Sequence, residues 1–335
     1  MPIPFLIAGA AILAGSYGVK KGLDAKSDFD KAKSLNSEAQ DIFNTATSEL
    51  EAAREKAQRS LNQLGKLKFS TYESKLIPFV EAFSRIKNID FQDQRLKDEF
   101  KLAGLSHNDL RAIERSALEM QDVVTGGVTA LGAGGLAGLA AYGGVGALAS
   151  TAGGTAIAGL SGVAATNATL AWLGGGALSA GGFGMAGGAA VLGGIVAGPV
   201  LAVGGMMLAS KAEEARHAAS TNLSKAKLAA EEMKTAAVAT GAIQKRFSEI
   251  SVVLKKLDKL FEPLLAGLQE RVDAGTDYRR YSAADRSGVM MAAALAKTIK
   301  NVLEAPLLDK DGVLTAASQS VVIEAQEKLS EMESA

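Results

Sequence analysis

Histidine and cysteine, the side chains that most often bind transition metals, are scarce in this chain. Cysteine is absent, which excludes disulfides, thiolate nucleophiles and thiolate metal sites. The two histidines, His107 and His217, have no second histidine at metal-ligand spacing, so we expect both at the surface or at an interface. Acidic residues alternate with Lys and Arg in helical stretches, as on a solvated helix face. The sequence predicts that the chain is not an enzyme and that it uses no cofactor or metal.

The glycine motifs that bind nucleotide phosphates are also missing. Residues 182–187 match the letters G-x-G-x-x-G, but no strand precedes them and no acidic residue lies about 20 positions further on to bind a ribose. Gly65 and Lys66 are followed by Leu67 instead of the Ser or Thr of a phosphate loop. In a glycine-rich segment such a match is expected by chance.

The strongest signal is a run of 88 residues, 123–210, without a charge or a histidine. This charge-free block holds 26 of the 37 glycines of the chain. Soluble surface helices carry a polar stripe, which the block lacks. It is long enough to cross a bilayer at least twice at about 20 residues per crossing. We expect it to contact lipid, and the alternative is the dry core of a soluble oligomer.

Small residues recur every four positions in the charge-free block. Such rows let helix backbones approach closely and associate by van der Waals contact. Alanine and glycine add little free energy of insertion, so the block is only marginally hydrophobic and suits conditional insertion from a stored, soluble state. The residues predicted to serve membrane insertion and helix packing are Gly134, Gly138, Gly176, Gly182, Gly184, Gly188, Gly194 and Gly198.

The most polar point of the block, residues 166–169, lies near its centre and predicts the tip of a helical hairpin. Asn167 belongs to this tip, and Trp172 is placed at a membrane interface. Each limb then has about 40 residues, or ~60 Å of helix, twice the hydrocarbon thickness. The limbs therefore either break again, giving four spans, or project beyond the bilayer as two. An even number of spans returns both flanks to the same side.

Both flanks of the block have the periodicity of long amphipathic helices. Apolar residues recur in steps of three and four from Leu35 to Leu64 and from Leu223 to Leu268. The second seam predicts one helix of about 60 residues, kinked at Pro263. Gly65 is expected to end or bend the first helix. Alanine-rich seams permit close helix packing, and either a coiled coil or an elongated bundle satisfies this pattern.

Shorter helices complete the predicted architecture. Apolar spacing indicates a helical piece over residues 72–86, and residues 87–105 are predicted to be a polar linker. A last helix is expected over about 314–333. Alternation typical of strands is almost absent, so the fold class is all-α. Two capping boxes begin further helices, at Ser106 with Asp109 and at Ser282 with Asp285.

Residues 2–19 are a second uncharged apolar segment, closed by Lys20 and Lys21. A secretory signal carries basic residues before its apolar part, whereas here they follow it. This order favours a retained membrane-facing element whose C-terminal end is cytoplasmic. A helix packed against the charge-free block is the competing interpretation, and a cleaved signal is less favoured.

Composition divides the chain into five parts. The flanks 20–122 and 211–335 each hold 18 basic and 18 acidic residues, a balance that leaves no basic face for nucleic acid. The parts are an apolar N-terminal segment (1–21), a first helical arm (22–122), a glycine-zipper membrane hairpin (123–210), a long coiled-coil helix (211–271) and terminal helices (272–335).

Amphipathic helical arms around one apolar hairpin resemble the organisation of the bacterial α-helical pore-forming toxins of the haemolysin E type. The charge-free block is longer and richer in glycine than the hairpin of that family. Residues 1–22 and 165–176 also look like stretches of bacterial glycine-zipper proteins of unassigned function. The resemblance implies a bacterial origin, and we expect a membrane-associated protein with cytoplasmic arms and a soluble form before insertion.

Two functions remain open from the sequence. The first is an oligomeric, membrane-inserting and pore-forming or permeabilising effector, of the toxin, cell-death or phage-defence type, that inserts residues 123–210. The second is a non-conducting, membrane-tethered helical scaffold that binds protein partners. The expected partners are a lipid bilayer, further copies of the chain and a protein bound through the coiled-coil arms.

Overall fold

Helices make up most of the chain that the computed structural model describes, namely residues 19–89, 93–125, 136, 139–141, 143, 212–309 and 313–334. The predicted all-α class is confirmed, since no strand occurs within those ranges. In chain order the elements are α1 (Val19–Thr71), a π-helical turn (Tyr72–Leu76), α2 (Ile77–Ser84), α3 (Gln94–Leu102), α4 (His107–Thr125), α5 (Ala212–Ala274), a 3₁₀ turn (Tyr278–Arg280), α6 (Ala283–Glu304) and α7 (Ala316–Ser334).

Two helix starts follow from local sequence. The backbone N–H of Asp285 donates to Ser282 Oγ at 3.1 Å, and the N–H of Ser282 donates to Asp285 Oδ2 at 2.9 Å. The same reciprocal pair joins Ser106 and Asp109, at 3.2 and 2.8 Å. Each pair satisfies two amide groups that a helix N-terminus leaves without an intrahelical acceptor. Both predicted capping boxes are therefore confirmed.

Two predictions about the first flank need correction. Gly65, expected to end or bend the first helix, does not end α1, which continues to Thr71. Residues 87–105 are not only a linker, because they contain α3, which buries Leu96 and Phe100. Packing of these two side chains stabilises a short helix whose other residues are mostly polar.

Contacts divide the chain into two units, described here one at a time. The paired-helix unit comprises Met1–Glu55 and Val196–Thr240. Its parts of α1 and α5 run parallel, because contacting residues keep a sequence separation of 186 to 189. The contacts are Arg216 with Asp28 at 3.5 Å, Asn222 with Asn36 at 3.4 Å, Lys227 with Glu38 at 3.2 Å, and Met233 with Thr47 at 3.6 Å.

Small side chains form the core of the paired-helix unit. Ala39, Leu223 and Ala226 are buried together, and Leu35 and Ile42 pack against them. All five belong to the two predicted seams. Alanine at the contact positions allows the two helices to approach closely, at the cost of burying little apolar area.

The core unit comprises Lys56–Ile195 and Gly241–Ala335. Its hydrophobic cluster draws on α2, α3, α4, α6, α7 and the parts of α1 and α5 that belong to this unit. The deepest helix is α6, whose side chains at Leu295, Ile299 and Val302 have no solvent exposure. Large aliphatic and aromatic residues replace the alanines of the other unit, so the core unit buries far more apolar surface.

Candidate functional site

The residues predicted for membrane insertion lie outside the described residues. They are Gly134, Gly138, Gly176, Gly182, Gly184, Gly188, Gly194 and Gly198, together with the predicted hairpin tip at Asn167 and Trp172. Across the ranges that are described, no helix combines the length and the apolar character needed to cross a membrane. The structure does describe the early part of the charge-free block, at residues 123–125, which end α4, and at Leu136, residues 139–141 and Gly143.

The start of the charge-free block is packed inside the core unit. Leu136 and residues 139–141 are helical. All four of their side chains are buried and belong to the hydrophobic cluster of that unit. This apolar segment is therefore covered by protein, including side chains from both charged flanks of the chain.

Two glycines allow the backbone of this segment to approach the core unit closely. A Cβ atom on Gly65 of α1 would lie 2.2 Å from the carbonyl oxygen of Leu136. A Cβ atom on Gly143 would lie 2.2 Å from the carbonyl oxygen of Glu304, at the end of α6. Gly143 also has φ of +65°, the left-handed conformation that often follows the last turn of a helix. Only glycine meets both requirements at this position without strain.

A buried lysine joins the segment to the core unit. Lys68 of α1 has no exposed surface, and its Nζ donates to the carbonyl of Ala140 at 3.3 Å and of Leu303 at 2.9 Å. The amides of Leu307 and Leu308 donate to the next carbonyl, that of Ala141, at 2.7 and 3.1 Å. We call this set of hydrogen bonds the Lys68 junction.

The Lys68 junction satisfies carbonyls that helix ends leave without intrahelical donors. Leu303 lies in the last turn of α6, and Ala140 lies just before the segment leaves the helical conformation at Gly143. A lysine amine next to the last turn of a helix can donate to such carbonyls. One side chain therefore caps two helical segments and holds them against α1.

Burial lowers the pKa of Lys68 to about 7, and the nearby carboxylate of Glu304 opposes this shift. Removing the ammonium from water is costly, so the buried site favours the neutral amine. The carboxylate of Glu304 is also paired with Lys300, at 2.6 Å. At neutral pH the buried site therefore favours the neutral amine far more than water does.

A second layer of buried polar groups lies one turn further along α1. Tyr72 and Ser116 of α4 share a hydrogen bond of 3.0 Å, and burial raises the pKa of the Tyr72 hydroxyl. Thr71 donates to Asp258 Oδ2 of α5 at 2.7 Å. Burial raises the pKa of Asp258 to about 6, and its Oδ1 is buried without a hydrogen-bond partner among the described residues.

The histidines of the sequence analysis take no part in these networks. His107 Nε2 accepts a hydrogen bond from Arg111 Nε at 2.9 Å, and His217 is exposed on α5. Within the described part of the chain, no three His, Asp or Glu side chains are grouped to hold a metal ion.

An apolar groove of about 520 Å³ lies on the core unit between α3, α6 and α7. Leu102 and Met291 line it with 89% and 44% of their surfaces exposed. Arg286 and Lys328 lie at its edge, where Lys328 pairs with Glu331 at 2.9 Å. The groove therefore presents apolar side chains between charges that are already partly compensated.

Sequence reasoning did not identify Lys68, and a usable signal was present. Leu61, Leu64 and Lys68 continue the steps of three and four of the first seam, which places the lysine on the buried face. Lys66, two residues earlier, falls off the seam and is exposed. A lysine in register with a hydrophobic seam is unusual, because lysine is almost never fully buried without partners.

The Lys68 junction holds the segment at Ala140 and Ala141 against the core unit. Its parts are an amine, three carbonyls and two backbone amides, with close contacts at two glycines. Comparison of the chain with protein-family models, curated proteins and solved structures gives no match.

Proposed function

We propose that this chain is an oligomeric, membrane-inserting protein that forms pores or otherwise permeabilises a bilayer, as a toxin or a cell-death or phage-defence effector would. Residues 123–210 are the inserting part, as a glycine-rich helical hairpin of two or four spans. Their lack of charge over 88 residues supports contact with lipid. The four-residue rows of glycine and alanine support helix association there.

The observation that carries this proposal is the packing of the start of the block into the core unit. Leu136 and Leu139 are buried among side chains of the core unit, and Lys68 binds the backbone at Ala140. Marginally hydrophobic segments gain little from entering lipid, so protein contacts of this kind compete effectively with insertion. This arrangement is that of a stored segment, which is released when the membrane-bound oligomer forms.

We propose the same partners and the same location that the sequence predicts. The inserting part binds a bilayer and further copies of the chain, and the paired helices α1 and α5 offer a surface for a protein partner. The balanced charges of both flanks give no attraction for nucleic acid. We place the protein at a bacterial membrane, with its charged arms in the cytoplasm and a soluble form before insertion.

Leakage of a small dye from liposomes tests the proposal. Wild-type protein is expected to release the dye, whereas Gly184→Leu and Gly188→Leu lower the initial rate by roughly tenfold or more, since each lost contact of about 1.4 kcal/mol weakens association tenfold. Gly267→Leu is the matched control, because a Cβ atom there meets nothing within 4 Å. Equal leakage from all three variants and the wild type would show that glycine packing is not the mechanism.

The alternative function is a non-conducting, membrane-tethered helical scaffold that binds protein partners. The groove between α3, α6 and α7 favours it, because exposed apolar side chains such as Leu102 suit the apolar face of a partner helix. Membrane association of the wild-type protein without dye leakage, together with a stable partner at this groove, would favour the scaffold over the permeabilising protein.

A further inference from the structure

Lys68 is an unusual group to bury between two helix ends. Its Nζ has two acceptors, the carbonyls of Ala140 and Leu303. A neutral amine has two N–H groups and matches these acceptors, whereas an ammonium has a third N–H with no acceptor among the described residues. Burying a charge that is not fully paired costs free energy, so the docked arrangement is best suited to the neutral amine.

The same amine returns to water when the segment leaves the core unit. The carbonyl of Ala140 moves away with the segment, and the contacts of Leu136 with Gly65 and of Gly143 with Glu304 are lost as well. A lysine in water is protonated at neutral pH. The docked and released states therefore differ in the protonation of Lys68.

We propose that release of Leu136, residues 139–141 and Gly143 from the core unit takes up one proton from solvent at Lys68 Nζ, which couples this step to pH. The inference rests on the proposed function, because it identifies what regulates the release of the inserting part. On release the proton binds the lone pair of Nζ, the carbonyl of Ala140 loses its donor, and water hydrogen-bonds in its place. No other bond is made or broken.

Among the described ionisable groups around this site, Lys68 is the group whose protonation changes between neutral and alkaline pH. From α6, Glu304 attracts a proton to Lys68 but is itself paired with Lys300. From α5, burial raises the pKa of Asp258 to about 6, and in the π-helical turn burial moves the pKa of Tyr72 upward, away from neutrality. From α4, Glu119 acts on Tyr72. The described residues of the charge-free block contribute no charge.

The direction in which pH changes the stability of docking follows from the lowered pKa of Lys68. Docking is favoured above the released-state pKa of 10.5, weakens as the pH falls toward 7, and changes little below 7. Asp258 acts in a lower range, where stability of the core unit falls as the pH rises from 3.8 to about 6. A comparison between about pH 7 and about pH 9 therefore isolates Lys68.

Hydrogen exchange of the full chain tests the coupling. The amides of Leu307 and Leu308, which donate to Ala141, report docking. After correction for intrinsic exchange, we expect their opening to be favoured roughly 50-fold more at about pH 7 than at about pH 9, from a pKa of about 7 when docked. Lys68→Met should abolish this difference, and Lys66→Met, which changes an exposed lysine two residues away, should retain it.

A labelling measurement on wild-type protein serves if Lys68→Met does not fold. Reductive methylation modifies lysines only when they are accessible, and Lys66 on the same helix corrects for reagent and pH. The ratio of Lys68 to Lys66 modification should rise by the same factor as the pH is lowered. A ratio that does not change with pH overturns the proton coupling.

Dye leakage at the two pH values separates this inference from the proposed function. Leakage that is faster at the lower pH in wild-type protein, together with the exchange result, supports both. Proton-coupled exchange without leakage at either pH keeps the coupling and overturns permeabilisation. Leakage with exchange that does not depend on pH keeps permeabilisation and overturns the coupling.

Discussion

Replacing Gly143 by alanine is expected to release the start of the charge-free block from the core unit. The new Cβ would lie 2.2 Å from the carbonyl oxygen and 2.4 Å from the carbonyl carbon of Glu304, which are backbone atoms at the end of α6. The left-handed backbone at Gly143 costs any other residue about 1–2 kcal/mol, and overpacking adds about 1–3 kcal/mol. The measurement is hydrogen exchange at Leu307 and Leu308, which should accelerate by about 30-fold or more, the equivalent of ~2 kcal/mol.

Gly104→Ala is the matched control for this substitution. Gly104 has φ of +66°, nearly the same as Gly143, but a Cβ there meets nothing within 4 Å. It therefore carries the conformational cost without the contact with α6. If the two alanine variants had equal effects on exchange at Leu307 and Leu308, close approach of Gly143 to Glu304 would not be what holds the segment.

Replacing Gly65 by alanine is expected to destabilise the core unit even though alanine is the better helix former. Alanine in a helix interior is favoured over glycine by ~1 kcal/mol. The Cβ on Gly65 would lie 2.2 Å from the oxygen of Leu136, a contact that must be relieved by moving the backbone. Overpacking costs about 1–3 kcal/mol and should outweigh the gain in propensity, so we expect a net loss of up to about 2 kcal/mol in the free energy of urea unfolding.

Gly267→Ala is the control that separates the gain in helix propensity from the cost of the close contact at Gly65. Gly267 lies inside α5, and a Cβ there meets nothing within 4 Å. This variant should therefore unfold at a higher urea concentration than wild type, whereas Gly65→Ala should unfold at a lower one. Stabilisation by both substitutions would mean that the charge-free block is not packed against α1 at Gly65.

The helices were predicted well because their formation and their ends depend on residues that are close together in the sequence. The capping boxes at Ser106 and Ser282 act over three residues, so their hydrogen bonds follow directly from the sequence. The seam from Leu223 to Leu268 predicted a helix of about 60 residues, and α5 has 63 residues, with every seam position buried or half-buried. The helix also continues through Pro263.

Features that depend on distant contacts could not be predicted in the same way. Gly65 looked like a helix end, because glycine is a poor helix former, but its role depends on the backbone of Leu136, 71 residues away in the chain. In the paired-helix unit, the parallel direction of α1 and α5 follows from pairs such as Arg216 with Asp28 and Lys227 with Glu38, which no local pattern specifies. The sequence of α3 predicted a linker because its helix depends on packing of Leu96 and Phe100 into a core built by distant residues.

Lys68 combines both kinds of information. The seam places it on the buried face, but its acceptors at Ala140 and Leu303 come from parts of the chain 72 and 235 residues away. Because lysine is usually exposed, the residue type alone would have placed this side chain on the solvated face of the helix. The Lys68 junction could therefore be identified only from the tertiary contacts, although the lysine on the hydrophobic seam was visible in the sequence.

The most direct test of a stored, inserting segment is protection of the charge-free block by vesicles. The full chain is mixed with phosphatidylethanolamine–phosphatidylglycerol vesicles, washed with carbonate and digested with proteinase K, since the block has no Lys or Arg for trypsin. We expect a membrane-bound fragment that contains most of residues 123–210. Protein that stays in the supernatant, with the block digested equally with and without vesicles, would contradict the account.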